Sequence, residues 1–377
     1  MVAFTLVQKN TLKTAIKILT DYPRDDLASD EVQQALITAC AEHQLDMYNI
    51  DVGSVPGMDT VVAAFKTAQL GLNSKLGYGH IIHTNCAPRR NIVSKKSKGE
   101  GVVLGLLENG ACLLTVNSGY TLSAFYDLAK MGKIKFFETK IPVDGSQFRS
   151  RDYFPGATAQ LARFLSDKLA ELGQDKITQL YAQDKMETLF SGFELLGEPL
   201  DFEEISQLPK GAIWYIDNFG NMKLNISHDE IVRYQETGTI LSLVVGDTVV
   251  DAIVGQAGFS QGEGILALTR GSSGWDIENG HAMRFTEVFL RGGSAAGSFK
   301  NIMPGIQVLG VKKKEIQRAL KMFTEAGIKT IATLDLYFLS EARLIQLFAD
   351  YGLIKNGFDD RGLTRALDEG SLIKQLS

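Results

Sequence analysis

The feature that most limits what this chain can fold into is the alternation running through residues 1–175. Short apolar, strand-like runs stand at Ala15–Leu19, Met47–Val52, His80–His83, Val102–Leu107 and Cys112–Val116. Stretches with helical spacing separate the first of them, at Asp30–Ala41 and Asp59–Leu70, and a long helical pattern follows at Phe154–Leu172. Ser29 or Asp30 suits the N-cap of the first helix and Asp59 that of the second, because a short side-chain oxygen accepts the unsatisfied N–H groups of a first turn. Strand–helix alternation of this kind predicts an α/β N-terminal domain with a mostly parallel sheet.

The texture changes twice more. Polar, acidic residues with Gly192 and Gly197-Glu198-Pro199 read as a linker over 176–200. Over 201–302 strand-like runs follow closely at Ala212–Ile216, Thr239–Val245, Thr248–Val254, Gly264–Thr269 and Arg284–Leu290, which predicts a smaller all-β barrel or sandwich. Residues 303–377 read as an appended α/β tail, with helices at Lys312–Phe323 and Ser340–Tyr351 around a strand at Thr330–Leu334.

Charge and composition exclude several classes. A net charge of −5 and a pI near 5.7 leave no basic footprint for nucleic acid. Lys95, Lys96 and Lys98 make a short basic run that fits a solvated loop. Cys40, Cys86 and Cys112 lack paired metal-ligand spacing and suit buried thiols in a reducing compartment. No apolar run reaches the roughly 18 residues that span a bilayer, and Met1–Val7 turns polar too soon for a signal peptide. The expectation is a soluble cytoplasmic protein with neither a membrane nor a nucleic-acid partner.

Chemistry-bearing residues collect where strands end, and in parallel α/β sheets ligands sit at the carboxyl ends of strands. Three such segments are Thr20–Asp26, His83–Arg90 and Thr115–Gly119. The densest is the fourth: Trp214–Ile226 drops from an apolar run into Asp217, Asn218, Phe219, Gly220 and Asn221 and returns to apolar residues. It supplies a carboxylate, amides, an aromatic face and a permissive glycine, more than a plain turn requires. Arg270–Trp275 and Arg291–Ala296 set glycine beside serine, which suits either backbone contact with an anion or a pair of hairpin turns. His80 and His83 point to opposite faces of a strand and have no third ligand nearby, so no metal site is expected. His83 serves either as a base facing a pocket or as a structural histidine.

In this order the segments resemble the S-adenosylmethionine hydroxide adenosyltransferase family, which includes the fluorinases and chlorinases, over roughly residues 15–300. Trp214–Ile226 is close to its "Val-x-Tyr-Ile-Asp-x-Phe-Gly-Asn-x-x-Thr-Asn-Ile", and Ser150–Ala162 (SRDYFPGATAQLA) to its "GRDxFAPxAAHLA". Gly271–Gly274 and Gly292–Ala296 are similar to its "NSxG" and "GxAA", and Thr20–Asp26 to its "TDFGxxD". The resemblance implies an adenosyl ligand, S-adenosylmethionine as substrate rather than cofactor, held between subunits of a homotrimer or dimer of trimers. It implies that Asp21 binds the ribose hydroxyls, that Asp26 and Asp217 meet the methionine ammonium, and that Ser272 holds its carboxylate. Phe219 then lies against adenine, Asn221 hydrogen-bonds it, and backbone at Gly293–Ala295 meets its edge.

The chain also departs from the pattern. The family's water-delivering Asp opens a "DPGVG" loop before an "RR" pair; here Thr84 and Asn85 stand there, ahead of Arg89 and Arg90. The family's His becomes Gln160, its "PDNG" becomes Val116-Asn117-Ser118-Gly119, and Pro23 replaces the glycine of "DFG". Arg89, Asn85 and Gln160 thus occupy the catalytic positions, and Asn117 and Ser118 a binding one. An amide neither deprotonates water nor titrates near neutral pH. Three outcomes remain open: a hydrolase with a rearranged site, an enzyme that uses another nucleophile at C5′, or an adenosyl-binding or structural trimer without turnover.

Overall fold

The computed structural model describes residues 14–45, 47–87, 101–143, 145–183, 185–235, 240–245, 248–255, 260–277 and 281–312. The tail segments expected beyond Lys312, and Arg89 with Arg90, lie outside the described residues. The chain divides into two compact units: one reaches to Leu208 and takes in Trp275–Ala282, and the other holds Pro209–Gly274 and continues from Met283.

The first unit is built on β1 (Thr14–Thr20), β2 (Met47–Ser54), β3 (His80–Asn85), β4 (Val102–Leu106), β5 (Cys112–Val116), β6 (Phe136–Thr139) and β7 (Leu196–Leu200), in the order β2-β1-β3-β5-β4-β6-β7. The sheet is mixed rather than mostly parallel. β2, β1, β3 and β5 run parallel, while β4, β6 and β7 pair antiparallel. The reason is the β4–β5 connection. A parallel crossover needs a dozen or more residues, whereas Gly110 at φ +86° closes a tight turn, its N–H donating to the Leu107 carbonyl at 2.8 Å.

Helices cover both faces: α1 (Leu27–Glu42), α2 (Thr60–Leu72), α3 (Tyr126–Lys130), α4 (Arg149–Asp152), α5 (Phe154–Leu172), α6 (Gln174–Ala182) and α7 (Met186–Leu189). Thr84 meets Thr67 of α2 and its neighbour His83 meets Thr158 of α5, so alternation along β3 puts α2 and α5 on opposite faces. The segment expected as a linker is part of this body. Ile177, Leu180, Met186, Leu189, Phe190 and Phe193 are buried beneath a polar exterior, and β7 pairs with β6. Pro199 faces Phe137 in that pairing, on the strand that ends the sheet.

The second unit carries β8 (Ile213–Ile216), β9 (Met222–Ser227), α8 (His228–Gln235), β10 (Ile240–Val245), β11 (Thr248–Val254), β14 (Leu309–Lys312) and all but the facing ends of β12 (Leu266–Ile277) and β13 (His281–Leu290). The strand order is β14-β10-β11-β12-β13-β9-β8. Ile213, Met222, Leu224, Leu243, Val254, Leu268 and Val288 form its core. The Ile213 N–H donates to the Ile306 carbonyl and the Gly305 N–H to the Ile213 carbonyl, both at 2.8 Å. The same stretch then continues as β14 against β10, so one run of chain touches both ends of the strand order. Among the described residues no helix is long and apolar enough to cross a membrane.

Candidate functional site

In the first unit β1, β3 and β5 lie side by side and end at one edge, with Thr20 paired to Asn85 and Thr84 to Thr115. Asp21, Asn85 and Ser118 follow from these ends, as the sequence predicts. The Asp21 carboxylate accepts the Met58 N–H at 3.3 Å, on the chain leading into α2. The Asn85 amide donates to the Tyr22 hydroxyl at 3.5 Å, and that hydroxyl lies 2.7 Å from Ser150 Oγ. Asn117 and the buried Ser118 form the turn after β5. There Gly119 adopts φ +53° against Thr60, where a Cβ would come within 2.7 Å of the threonine Oγ1. The Tyr120 N–H donates to that oxygen at 3.2 Å, fixing the turn on the first residue of α2.

Asp59 caps α2, accepting from Val61 and Val62 at 3.1 and 2.9 Å. Burial raises its carboxyl above the ordinary value, and the two N–H groups and Lys66 only partly oppose it. Cys86 is buried at the same edge; burial first, then the Asp21 and Asp59 charges, push its thiol upward, the reverse of an activated nucleophile.

Two expected site residues have partners within the first unit. Asp26 is the N-cap of α1, its carboxylate accepting the Ala28 N–H at 2.8 Å. That moves the cap upstream of Ser29 and Asp30, and Ser29 Oγ donates instead to the Pro23 carbonyl at 2.9 Å. Gln160 donates to the Glu194 carboxylate at 3.4 Å. Thr158 faces the sheet, and a residue two positions further along a helix lies about 200° around it, so Gln160 is turned away from Asn85.

His83 is buried. Its Nδ1 lies 2.7 Å from Thr158 Oγ1, whose hydroxyl donates to the Phe154 carbonyl at 2.7 Å. This network assigns the proton to Nδ1. Burial, with the Arg149 charge behind it, lowers the imidazole to about 3. His80 faces the other way, its Nδ1 2.8 Å from Ser74 Oγ. Among the described residues no group of three or more His, Cys, Asp and Glu stands ready for a metal ion.

In the second unit the β8–β9 loop is organised by Asp217. One carboxylate oxygen accepts the Phe219 and Asn221 N–H groups at 2.9 and 3.0 Å. The other takes the Asn221 side-chain amide at 3.1 Å and the Lys223 ammonium at 2.5 Å. Burial opposes ionisation, but Lys223 and the Asn221 donors outweigh it and hold the carboxyl below its ordinary range. An ammonium does meet Asp217, and it is the chain's own. The loop presents Phe219 at 78 % exposure and keeps Asn221 buried.

Lys223 reaches further, to Glu287 of β13 at 3.1 Å. Sequence reasoning missed both residues. The signal was a lysine between Met222 and Leu224, two apolar residues of a strand, which marks a cation either on the solvated face or buried with a partner. The Ala296 N–H donates to the Gly220 carbonyl at 2.8 Å, bringing the buried Ala295 beneath the loop. Gly220 sits at φ +80°, where a Cβ would collide with Ser294 Oγ.

The alternative of a hairpin turn at Arg270–Trp275 is overturned, because these residues lie inside β12. Its glycines permit close approach of β13: a Cβ on Gly271 would come within 2.9 Å of Glu287 Oε2, and one on Gly274 would collide with the Met283 carbonyl. Ser272 is exposed on the same strand.

No family model matches this chain, and no curated protein matches it. Solved structures are similar to it, two of them as follows. An uncharacterized conserved protein from Thermotoga maritima is 14% identical at a TM-score of 0.52, over 78% of this chain and 100% of that one. A conserved hypothetical protein from Thermus thermophilus is 18% identical at a TM-score of 0.47, over 79% of this chain and 100% of that one. The first likeness is one of fold alone.

Proposed function

We propose that this chain binds an adenosyl compound, such as S-adenosylmethionine, and does not deliver water to it. The observation that carries the binding half is the edge of the first unit, where β1, β3 and β5 bring Asp21, Asn85 and Ser118 together. A carboxylate suits a ribose diol, and neighbouring amide and hydroxyl groups suit the rest of a nucleoside. Independently, Phe219 is an exposed aromatic face of the kind a purine stacks against.

The second half rests on the residues at the water-delivering positions. Asn85 is bonded to Tyr22 and Gln160 to Glu194, and His83 is sealed against Thr158. A general base must reach the proton it removes, and these side chains do not share a site. A homotrimer or dimer of trimers, a cytoplasmic setting and a closed barrel in the second unit belong to the same proposal; the run 305–312 that touches both ends of the strand order supports the barrel.

Calorimetry with adenosine and with S-adenosylmethionine tests the binding. Asp21→Asn is expected to weaken it by about tenfold, the loss of one charge-assisted hydrogen bond. Failure of both compounds to bind would overturn the proposal. Chromatographic release of adenosine and methionine from S-adenosylmethionine would overturn the absence of hydrolysis.

A further inference from the structure

We propose that Lys223 is a specificity-determining residue: by supplying Asp217 with an internal ammonium, it makes the β8–β9 loop select an uncharged adenine nucleoside over one that ends in a cationic group. This deepens the adenosyl-binding proposal above and rests on it. Lys223 is 4 % exposed, and its ammonium bridges Asp217 at 2.5 Å and Glu287 at 3.1 Å. Both oxygens of Asp217 are met by donors of the loop itself: two backbone N–H groups on one, the Asn221 amide and Lys223 on the other.

A carboxylate in that state has no acceptor capacity left for an external ammonium. To bind there, a ligand must displace a buried lysine whose removal leaves the buried Glu287 and the half-buried Asp217 without their cation, and stranding a buried charge is strongly unfavourable. The same bonds hold Phe219 in place, because the Asp217 oxygen that accepts the Asn221 N–H also accepts the Phe219 N–H. The loop therefore fixes the backbone that carries an exposed ring before the ligand arrives, and contact with a ring face requires no charge.

Asp217 and Glu287 are two carboxylates and Lys223 is one ammonium, so the triad carries an excess negative charge that a ligand cation would neutralise. The full-length protein is titrated calorimetrically with adenosine and with S-adenosylmethionine, as wild type, Lys223→Arg and the double variant Lys223→Met with Glu287→Gln. Wild type and Lys223→Arg are expected to favour adenosine by at least about tenfold. The double variant leaves Asp217 without its counter-ion and is expected to lose that preference by about tenfold, with its melting temperature recorded alongside.

Equal or tighter binding of S-adenosylmethionine by the wild type would show that the excess charge draws the ligand cation, and would overturn the proposal whether or not the variant folds. A preference unchanged in a folded double variant would overturn it as well. Absence of binding by either compound would instead remove the adenosyl-binding proposal on which this one stands.

Discussion

The Thr158 hydroxyl accepts a hydrogen bond from Nδ1–H of His83 across 2.7 Å and donates its own to the Phe154 carbonyl, so a side chain of α5 fixes the tautomer of a residue inside the central sheet. Folding holds this imidazole at about 3, well below its ordinary 6.5. A base whose affinity for protons is lowered by folding binds more of them when unfolded. Its contribution to stability is thus complete above about 6.5 and is lost as pH falls towards 3. Urea unfolding between pH 7.5 and 4 is expected to show a stability loss of about 2 kcal/mol or more. His83→Gln should flatten that dependence; an unchanged slope in the variant would assign the acid limb to other groups.

Asp26 and Asp59 are expected to behave as caps. Asp26→Ala should lower stability by about 1 kcal/mol, the usual cost of losing an N-cap. Adenosine affinity should stay within about twofold, because among the described residues the side chain bonds to α1. A tenfold loss of affinity in calorimetry would return Asp26 to the binding set.

Gly220→Ala addresses the loop geometry. The left-handed conformation disfavours a side chain by about 1–2 kcal/mol, and the collision with Ser294 Oγ adds to it. The melting temperature should fall, and binding that depends on Phe219 should fall with it. Ser294→Gly in the same chain should recover part of the loss.

The cysteines should be inert in the folded protein. Cys40, Cys86 and Cys112 are buried, and burial raises each thiol, Cys40 to about 11. A chromogenic disulfide reagent at pH 7.5 is expected to label none of the three within minutes and all of them after denaturation. Rapid labelling of one thiol in native protein would show that its segment opens.

Much of the fold was legible because its signals are local. Asp59 caps α2 as its position predicts, and α5 spans Phe154–Leu172 as its spacing predicts. Sheet direction was less legible. Val102–Leu107 and Cys112–Val116 look alike whether their strands run together or opposed, and only the short turn at Gly110 decides it. The site was harder still. Gln160 keeps a motif position, yet its partner is Glu194 on a different segment. Lys223 looks like a solvated strand lysine until Glu287, distant in sequence, is placed beside it. Pairings made across the fold leave no periodicity for a sequence to display.

Pro199 has an outcome for the chain's life in a crowded solution. It lies on the final strand of the first sheet, and a proline has no amide hydrogen to lend a newcomer. An unfinished margin invites another copy to continue the ladder, and from there fibrils grow. This margin is hemmed, so copies of the protein that meet along β7 find a ladder with a missing rung.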